Sequence, residues 1–216
     1  MKSNTVVIRQ AKESDMGLIT KTHSLCFSHG FTSSLHKLNY NCFGGDLAAA
    51  YYLEYFYDSP ELFIVAENDG TIVGFCMGYY LNKKGQLSRF LKRNAKRLLL
   101  KVPVLLLLGD KSTWKKLYQM ITGYHEKEEI ISPLSDTITN GEISDILSIC
   151  VLQEFRGLNI ASKLVEEFAK TSKEHHCKAC LLTVEEDNLR AINFYKRMGF
   201  VVYSNKENKK GYKRML

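Results

Sequence analysis

An α/β domain is the fold class this 216-residue sequence predicts, and three observations predict it. Two β-rich runs, 62–67 (LFIVAE) and 71–81 (TIVGFCMGYYL), flank an Asn68-Asp69-Gly70 turn and read as a hairpin, because glycine accepts the positive φ such turns demand. The last third reads as strand, turn, helix, strand, helix, strand. The composition, 45% hydrophobic and 25% charged, is that of a soluble globular chain, and the length suits one domain with an insertion.

In chain order, 5–9 (TVVIR) is a short β-branched strand, and Ser14 is placed to cap a helix running to about Phe27. Met16, Ile19, His23 and Cys26 share one face of it, which makes His23 a core-edge residue. Asp46 is placed to cap a second helix at 47–57, whose aromatic cluster of Tyr51, Tyr52, Tyr55, Phe56 and Tyr57 reads as packing. Within the hairpin, Gly74 and Gly78 point to a bulge or to close backbone approach.

The composition then changes. Residues 83–116 hold eleven Lys/Arg and one acid, Asp110, a local charge of +10 against +7 for the whole chain. Leu87, Phe90, Leu91, Leu98 and Leu99 follow helical spacing, with Arg89, Lys92, Arg93, Lys96 and Arg97 covering much of the remainder. Two readings stand: a solvated helix over a small apolar seam, or a surface for an anionic membrane or an acidic substrate. No aromatic platform is interleaved with the charge, so nucleic acid is not expected as a partner. A second helix is expected at 112–123 and a polar stretch at 125–141, and the whole of 83–141 reads as an insertion or lid.

Residues 142–151 (EISDILSICV) are an isoleucine-rich strand, and 160–169 an amphipathic helix with Ile160, Ala161, Leu164, Val165, Phe168 and Ala169 on one side. An apolar strand at 179–184, a polar loop at 185–188, a helix at 189–198 stopped by Gly199, and a strand at 200–203 complete the order. At the first strand-to-helix turn the amides of Arg156, Gly157, Leu158, Asn159, Ile160 and Ala161 point outward together, and the helix dipole adds positive charge. A phosphate or pyrophosphate suits such a turn, with Gly157 allowing close backbone approach and Arg156 adding a charge-assisted contact. The six cysteines form no disulfide framework, and the CxxC of Cys177 and Cys180 lacks the second knuckle of a structural zinc site, so no metal is expected. The N-terminus lacks the apolar region of a secretory signal, and the longest apolar run, 102–109 (VPVLLLLG), is far short of a membrane span, so a cytoplasmic location is expected.

The residues VLQEFRGLNIASKL at 151–164 and LTVEEDNLRAINFYKRMGF at 182–200 together resemble the GCN5-related N-acetyltransferase (GNAT) superfamily. The second segment matches that family's N-x-x-A-x-x-F-Y-x-x-x-G-F pattern at every fixed position. The first departs from Gln/Arg-x-x-Gly-x-Gly/Ala at two places, Glu154 and Asn159. Asn is the non-glycine residue that best tolerates positive φ.

The resemblance implies a mixed, mainly antiparallel sheet flanked by helices, with two splayed central parallel strands, 142–151 and 179–184, that hold acetyl-CoA. It places the pantetheine arm on backbone groups near Ile149 and Val151, and the pyrophosphate on the amides from Arg156 to Ala161. Asn188 contacts the arm or caps the last helix, and Tyr195 donates to the departing thiolate. The acceptor is a small-molecule or peptide amine, which must lose a proton before attack; Glu142, Asp145 and Glu185 stand in position for that task, with water as the alternative. The activity implied is acetyl transfer to a primary amine within a ternary complex. A CoA-binding module without catalysis, docked to an anionic surface through 83–116, is the rival reading. A dimer is one of the oligomeric states left open.

Overall fold

The Asp69-Gly70 turn forms with both residues at positive φ, 49° and 77°, and joins β2 (Phe63–Asn68) to β3 (Thr71–Tyr80) as an antiparallel pair. The computed structural model describes residues 5–27, 45–100, 129–130, 138–206 and 209–216. The expected helix at 112–123, the apolar run 102–109 and Cys42 lie outside these residues.

Around the hairpin grows one eight-stranded sheet, completed by β1 (Val7–Gln10), β4 (Glu129–Ile130), β5 (Ile143–Val151), β6 (Ala179–Glu185), β7 (Val201–Lys206) and β8 (Lys209–Met215). The order is β1-β2-β3-β5-β6-β8-β7-β4, and only the β5–β6 pair is parallel. The sheet is therefore mixed and mainly antiparallel, as expected. Two strands were not foreseen: β4, which pairs with β7, and β8, which inserts between β6 and β7.

Helices cover both faces. On one side α4 (Ile160–Glu174) and α5 (Leu189–Arg197) pack Leu164, Val165, Phe168, Ile192 and Tyr195 onto Cys76, Ile146, Val151 and Leu182. Gly78 makes this approach feasible, since a Cβ there would stand 2.6 Å from the Phe168 ring and 2.2 Å from the Asp145 carbonyl oxygen. On the other side α1 (Met16–Cys26) and α2 (Gly45–Asp58) pack Met16, Ile19, Tyr52 and Phe56 onto Phe63, Phe75 and Met77. His23 lies fully inside this second cluster, among the rings of Phe27, Tyr52 and Phe75, deeper than the core edge.

Both expected caps are corrected. Ser14 sits within a 3-10 turn, Glu13–Asp15, and it is the Asp15 carboxylate that is held in place, by Arg9 at 2.7 and 3.2 Å and by the Lys12 amide at 2.8 Å. Helix α2 begins at Gly45, which puts Asp46 inside the helix.

The basic segment forms α3 (Gln86–Leu99), laid against α2. Its buried seam is narrower and more polar than the spacing predicts: Gln86, Phe90 and Asn94 are buried, whereas Leu91 and Leu99 are exposed. Arg89 and Arg93 both bond the buried Glu54 of α2, at 3.1 and 2.9 Å, and Arg89 also bonds Asp58. Among the described residues no helix is long and apolar enough to cross a membrane.

Candidate active site

Strands β5 and β6 hold together only at their beginnings. Their parallel ladder matches Ile143, Ser144, Asp145 and Ile146 with Ala179, Cys180, Leu181 and Leu182, and then stops. Beyond it β5 runs on to Val151 against β3, and β6 to Glu185 against β8. The facing edges of 147–151 and 183–185 thus pair with no strand among the described residues, and backbone N–H and C=O groups line a wedge that opens from Ile146. The central strands splay, as the resemblance implied. A β-bulge marks the apex: Met77 faces Ser148 and Gly78 faces Ile146, so Leu147 is the extra residue, and a bulge bends the strand that carries it.

The wide end of the wedge meets the turn before α4. A 3-10 turn (Gln153–Phe155) leads to Arg156 in extended conformation, Gly157 at φ 88° and Asn159 at φ 59°, ψ 17°. No atom lies within 4 Å of where a Gly157 Cβ would stand, so the glycine is required there by its backbone angle and not by space. Asn159 occupies the left-handed region that its side chain tolerates best outside glycine, and its carbonyl accepts the Lys163 amide at 3.2 Å to close the first turn of α4. Residues Arg156, Gly157, Leu158 and Asn159 are exposed, and the first amides of α4 lack intrahelical acceptors by the geometry of any helix start. Arg156 is tied back to β5, its Nε donating to the Val151 carbonyl at 3.2 Å, so this bond positions the turn. An exposed amide nest beside an unpaired strand edge fits a pyrophosphate with an extended amide-bearing arm, the shape of CoA.

Ile149 is half-buried and Val151 buried, both with side chains in the α4 cluster, so only their backbone can serve the wedge. Asn188 caps α5, its Oδ1 accepting from the Ala191 amide at 3.1 Å. Gly199, at φ 82°, ends that helix, with the Phe200 amide bonding back to the Tyr195 carbonyl at 3.0 Å. Tyr195 is 7% exposed and packs edge-on against Phe194 and Phe200. Burial pushes its phenol well above the ordinary value, with the Cys76 and Cys180 thiols adding to the shift; these sit on β3 and β6, the strands that flank β5.

The three carboxylates separate. Glu142 is a correction: its side chain accepts from the Thr139 amide at 2.9 Å and hydroxyl at 3.0 Å and pairs with Lys178. The Lys178 ammonium and the Thr139 amide hold it down at about 2, which leaves a poor proton acceptor in a capping role. Glu185 pairs with Lys209 at 3.1 Å on β8. Asp145 alone of the three lies mid-strand, opposite Tyr79 on β3 and Leu181 on β6, one ladder pair before the apex. The Tyr79 hydroxyl approaches it at 3.4 Å.

Around Asp145 stand residues that the sequence did not single out for the site. The aromatic cluster of α2 divides: Tyr52 and Phe56 are core, whereas Tyr51 and Tyr55 are half-buried, with their hydroxyls 2.9 Å apart. Tyr55 packs edge-on to Tyr79 at 5.3 Å, and Tyr51 edge-on to Phe90 of α3 at 5.4 Å. Tyr51 and Tyr55, four residues apart, share a face of α2, from which Tyr55 reaches β3 and Tyr51 reaches α3.

The acetyltransferase (GNAT) family model matches residues 120–200, a stretch that contains β5, the turn, α4, β6 and α5. The matched stretch, which is under half of the chain, is similar to the GNAT family. The chain's likeness to solved structures is one of fold. It aligns over 98% of its length, and 99% of theirs, with PH1933 from Pyrococcus horikoshii OT3 (TM-score 0.60, 15% identity) and with the PaiA N-acetyltransferase from Thermoplasma acidophilum in complex with coenzyme A (TM-score 0.59, 14% identity). In sequence it is similar to N-alpha-acetyltransferase 30 of Schizosaccharomyces pombe, 34% identical over 58 residues, which is 27% of this chain and 39% of that protein. The chain therefore spans well under half the length of that curated relative.

Proposed function

We propose that the protein is an acetyl-CoA-dependent N-acetyltransferase that moves an acetyl group to a primary amine by direct transfer in a ternary complex. One observation carries the reading: the β5–β6 wedge opens straight onto the positive-φ turn at Gly157 and Asn159. The PaiA protein, which has this fold, was solved in complex with coenzyme A, and the residues here fit the same donor.

Backbone groups at Ile149 and Val151 would pair with the pantetheine arm, and the amides from Arg156 to Ala161 would hold the pyrophosphate. Asn188 acts indirectly, by fixing the start of the helix that carries Tyr195. Tyr195 keeps its proton at neutral pH and so can donate a hydrogen bond to the leaving sulfur. Asp145 is the proton acceptor for the incoming amine in this reading, on the strength of its place one ladder pair before the apex of the wedge. The name of the curated relative, an N-alpha-acetyltransferase, supports a peptide amino terminus among the acceptors. Docking to an anionic surface is weakened as a rival, because two arginines of α3 are already held by Glu54 and Asp58.

The test is an acceptor-amine screen that follows CoA release, repeated with Tyr195→Phe. The wild type should release CoA faster with at least one amine than by hydrolysis. The variant should retain acetyl-CoA binding while turnover falls by roughly 10²-fold, the lower range for losing a positioned proton donor. If no amine stimulates release, the enzyme reading is lost and a CoA-binding module remains.

A further inference from the structure

We infer that Cys26 and Cys150 form a peroxide-reactive dithiol, a modification site that closes to a disulfide between α1 and β5 beside Arg156. The thiol chemistry stands apart from the acetyltransferase reading; only its link to acetyl-CoA rests on that reading.

Cys26 ends α1 one helical turn after Thr22, so the two residues lie on one face of that helix. The Cys150 sulfur reaches this face, 4.0 Å from the Thr22 carbonyl oxygen, and its thiol hydrogen-bonds that of Cys26. Cys26 packs against the apolar cluster that contains Cys150. Both are free thiols, Cys150 buried and Cys26 half-buried. One member of the pair is thus open to an oxidant and the other is shielded behind it, the arrangement of an attacking and a resolving thiol.

Charge separates the two further. Arg156, whose Nε donates to the Val151 carbonyl, also bonds the Cys26 sulfur. The hydrogen bond from Cys150 and the Arg156 guanidinium hold the Cys26 thiol below its ordinary value, against burial and the Glu154 carboxylate. Burial pushes Cys150 well up, so it keeps its proton. Cys76, Cys177 and Cys180 are buried and pushed up in the same way, which leaves Cys26 as the most thiolate-rich sulfur among the described residues.

The Cys26 thiolate attacks one oxygen of hydrogen peroxide. An S–O bond forms, the O–O bond breaks, and the departing hydroxide takes up a proton as water; the sulfur is oxidised to a sulfenic acid and the peroxide is reduced. Cys150 then attacks the Cys26 sulfur. The S–S bond forms, the S–O bond breaks, and the hydroxide leaves as water with the Cys150 proton. Two thiols and one peroxide give one disulfide and two waters. An anion seated on the turn draws on the same guanidinium, so acetyl-CoA and the Cys26 thiolate compete for Arg156.

The test treats the reduced full chain with hydrogen peroxide, blocks the remaining thiols and maps the product by mass spectrometry. The expected product is one intramolecular Cys26–Cys150 disulfide, reversed by dithiothreitol. Cys26 should be consumed at least about tenfold faster than Cys177, whose thiol burial pushes up to about 11. Cys150→Ser should trap the sulfenic acid on Cys26, where dimedone captures it. Arg156→Gln should slow Cys26 oxidation by about fivefold, and saturating acetyl-CoA should slow it comparably. The wild-type map needs no variant, so a substitution that fails to fold leaves the test in force. A disulfide elsewhere or between two chains, or a Cys26 no faster than Cys177, overturns the inference; a rate indifferent to Arg156→Gln overturns the part given to the arginine. A disulfide that forms at an Arg156-dependent rate but ignores acetyl-CoA counts against the donor reading and leaves the dithiol in place.

Discussion

The two sides of β5 are made of different material. Toward the wedge and α4 the site consists of main chain: an unpaired strand edge, two positive-φ residues and the first amides of a helix. Toward α2 it consists of side chains drawn from three elements, Tyr51 and Tyr55 on α2, Tyr79 on β3 and Asp145 on β5. Main chain can hold a ligand that is always the same, because every residue type supplies an amide. Side chains are needed where the ligand differs from one enzyme to the next. On the function proposed above, the constant substrate, the acetyl donor, belongs to the main-chain side.

The sharpest way to break this contrast is Gly78→Ala, because Gly78 touches both sides. The added Cβ would collide with the Asp145 carbonyl oxygen and with the Phe168 ring, and should cost about 3 kcal/mol by overpacking. Thermal unfolding should show it, and both donor and acceptor binding should weaken together. A more selective cut is Asn159→Val. At φ 59° a β-branched residue is strained by about 2 kcal/mol, so acetyl-CoA affinity in a titration should fall. Asn159→Gly should match or exceed the wild-type affinity. If valine is harmless, the turn does not bind through its backbone shape.

Smaller still is Asn188→Ala, which removes the cap of α5 and should cost about 1 kcal/mol in urea unfolding. Because that helix carries Tyr195, kcat should fall more than acetyl-CoA affinity. The least effect on function is expected from Glu142→Gln. The Glu142 carboxyl lies near 2 in the folded protein against an ordinary value near 4.5, so it stabilises fully above about pH 4.5 and loses that contribution as the pH falls through 2. The variant should therefore melt below the wild type at neutral pH, with the gap closing between pH 4.5 and 2. Turnover should be unaffected; a large loss would restore Glu142 to the chemistry.

The main-chain side was also the legible side. A strand, an Arg-Gly turn, an amphipathic helix and a capped helix ending in Gly199 are local signals, each confined to a few consecutive residues. The Asp145 surroundings are not local: Tyr79 and Asp145 are 66 positions apart, and nothing in the run of α2 tells its core aromatics from those that face β3. Strand β8 was hidden for another reason. KKGYKRM offers no apolar alternation, yet Tyr212 is 1% exposed and a Cβ on Gly211 would strike Ser204 at 2.2 Å, facts that depend on β6 and β7 already being in place. The missed caps have a similar origin, since Arg9 draws Asp15 into an ion pair that the local pattern does not announce.

The extra residue at Leu147 works as a change of parity. Before it, even-numbered residues such as Ile146 face α4 and Asp145 faces α2; after it, Ile149 and Val151 face α4 and Cys150 faces α2. Had β5 alternated without interruption, Ile149 and Val151 would have been delivered to the same face as Asp145. Deleting Leu147 would straighten the strand yet leave residues 148–151 opposite their present partners and on their present faces, so the test of the bulge is the bend and not the address.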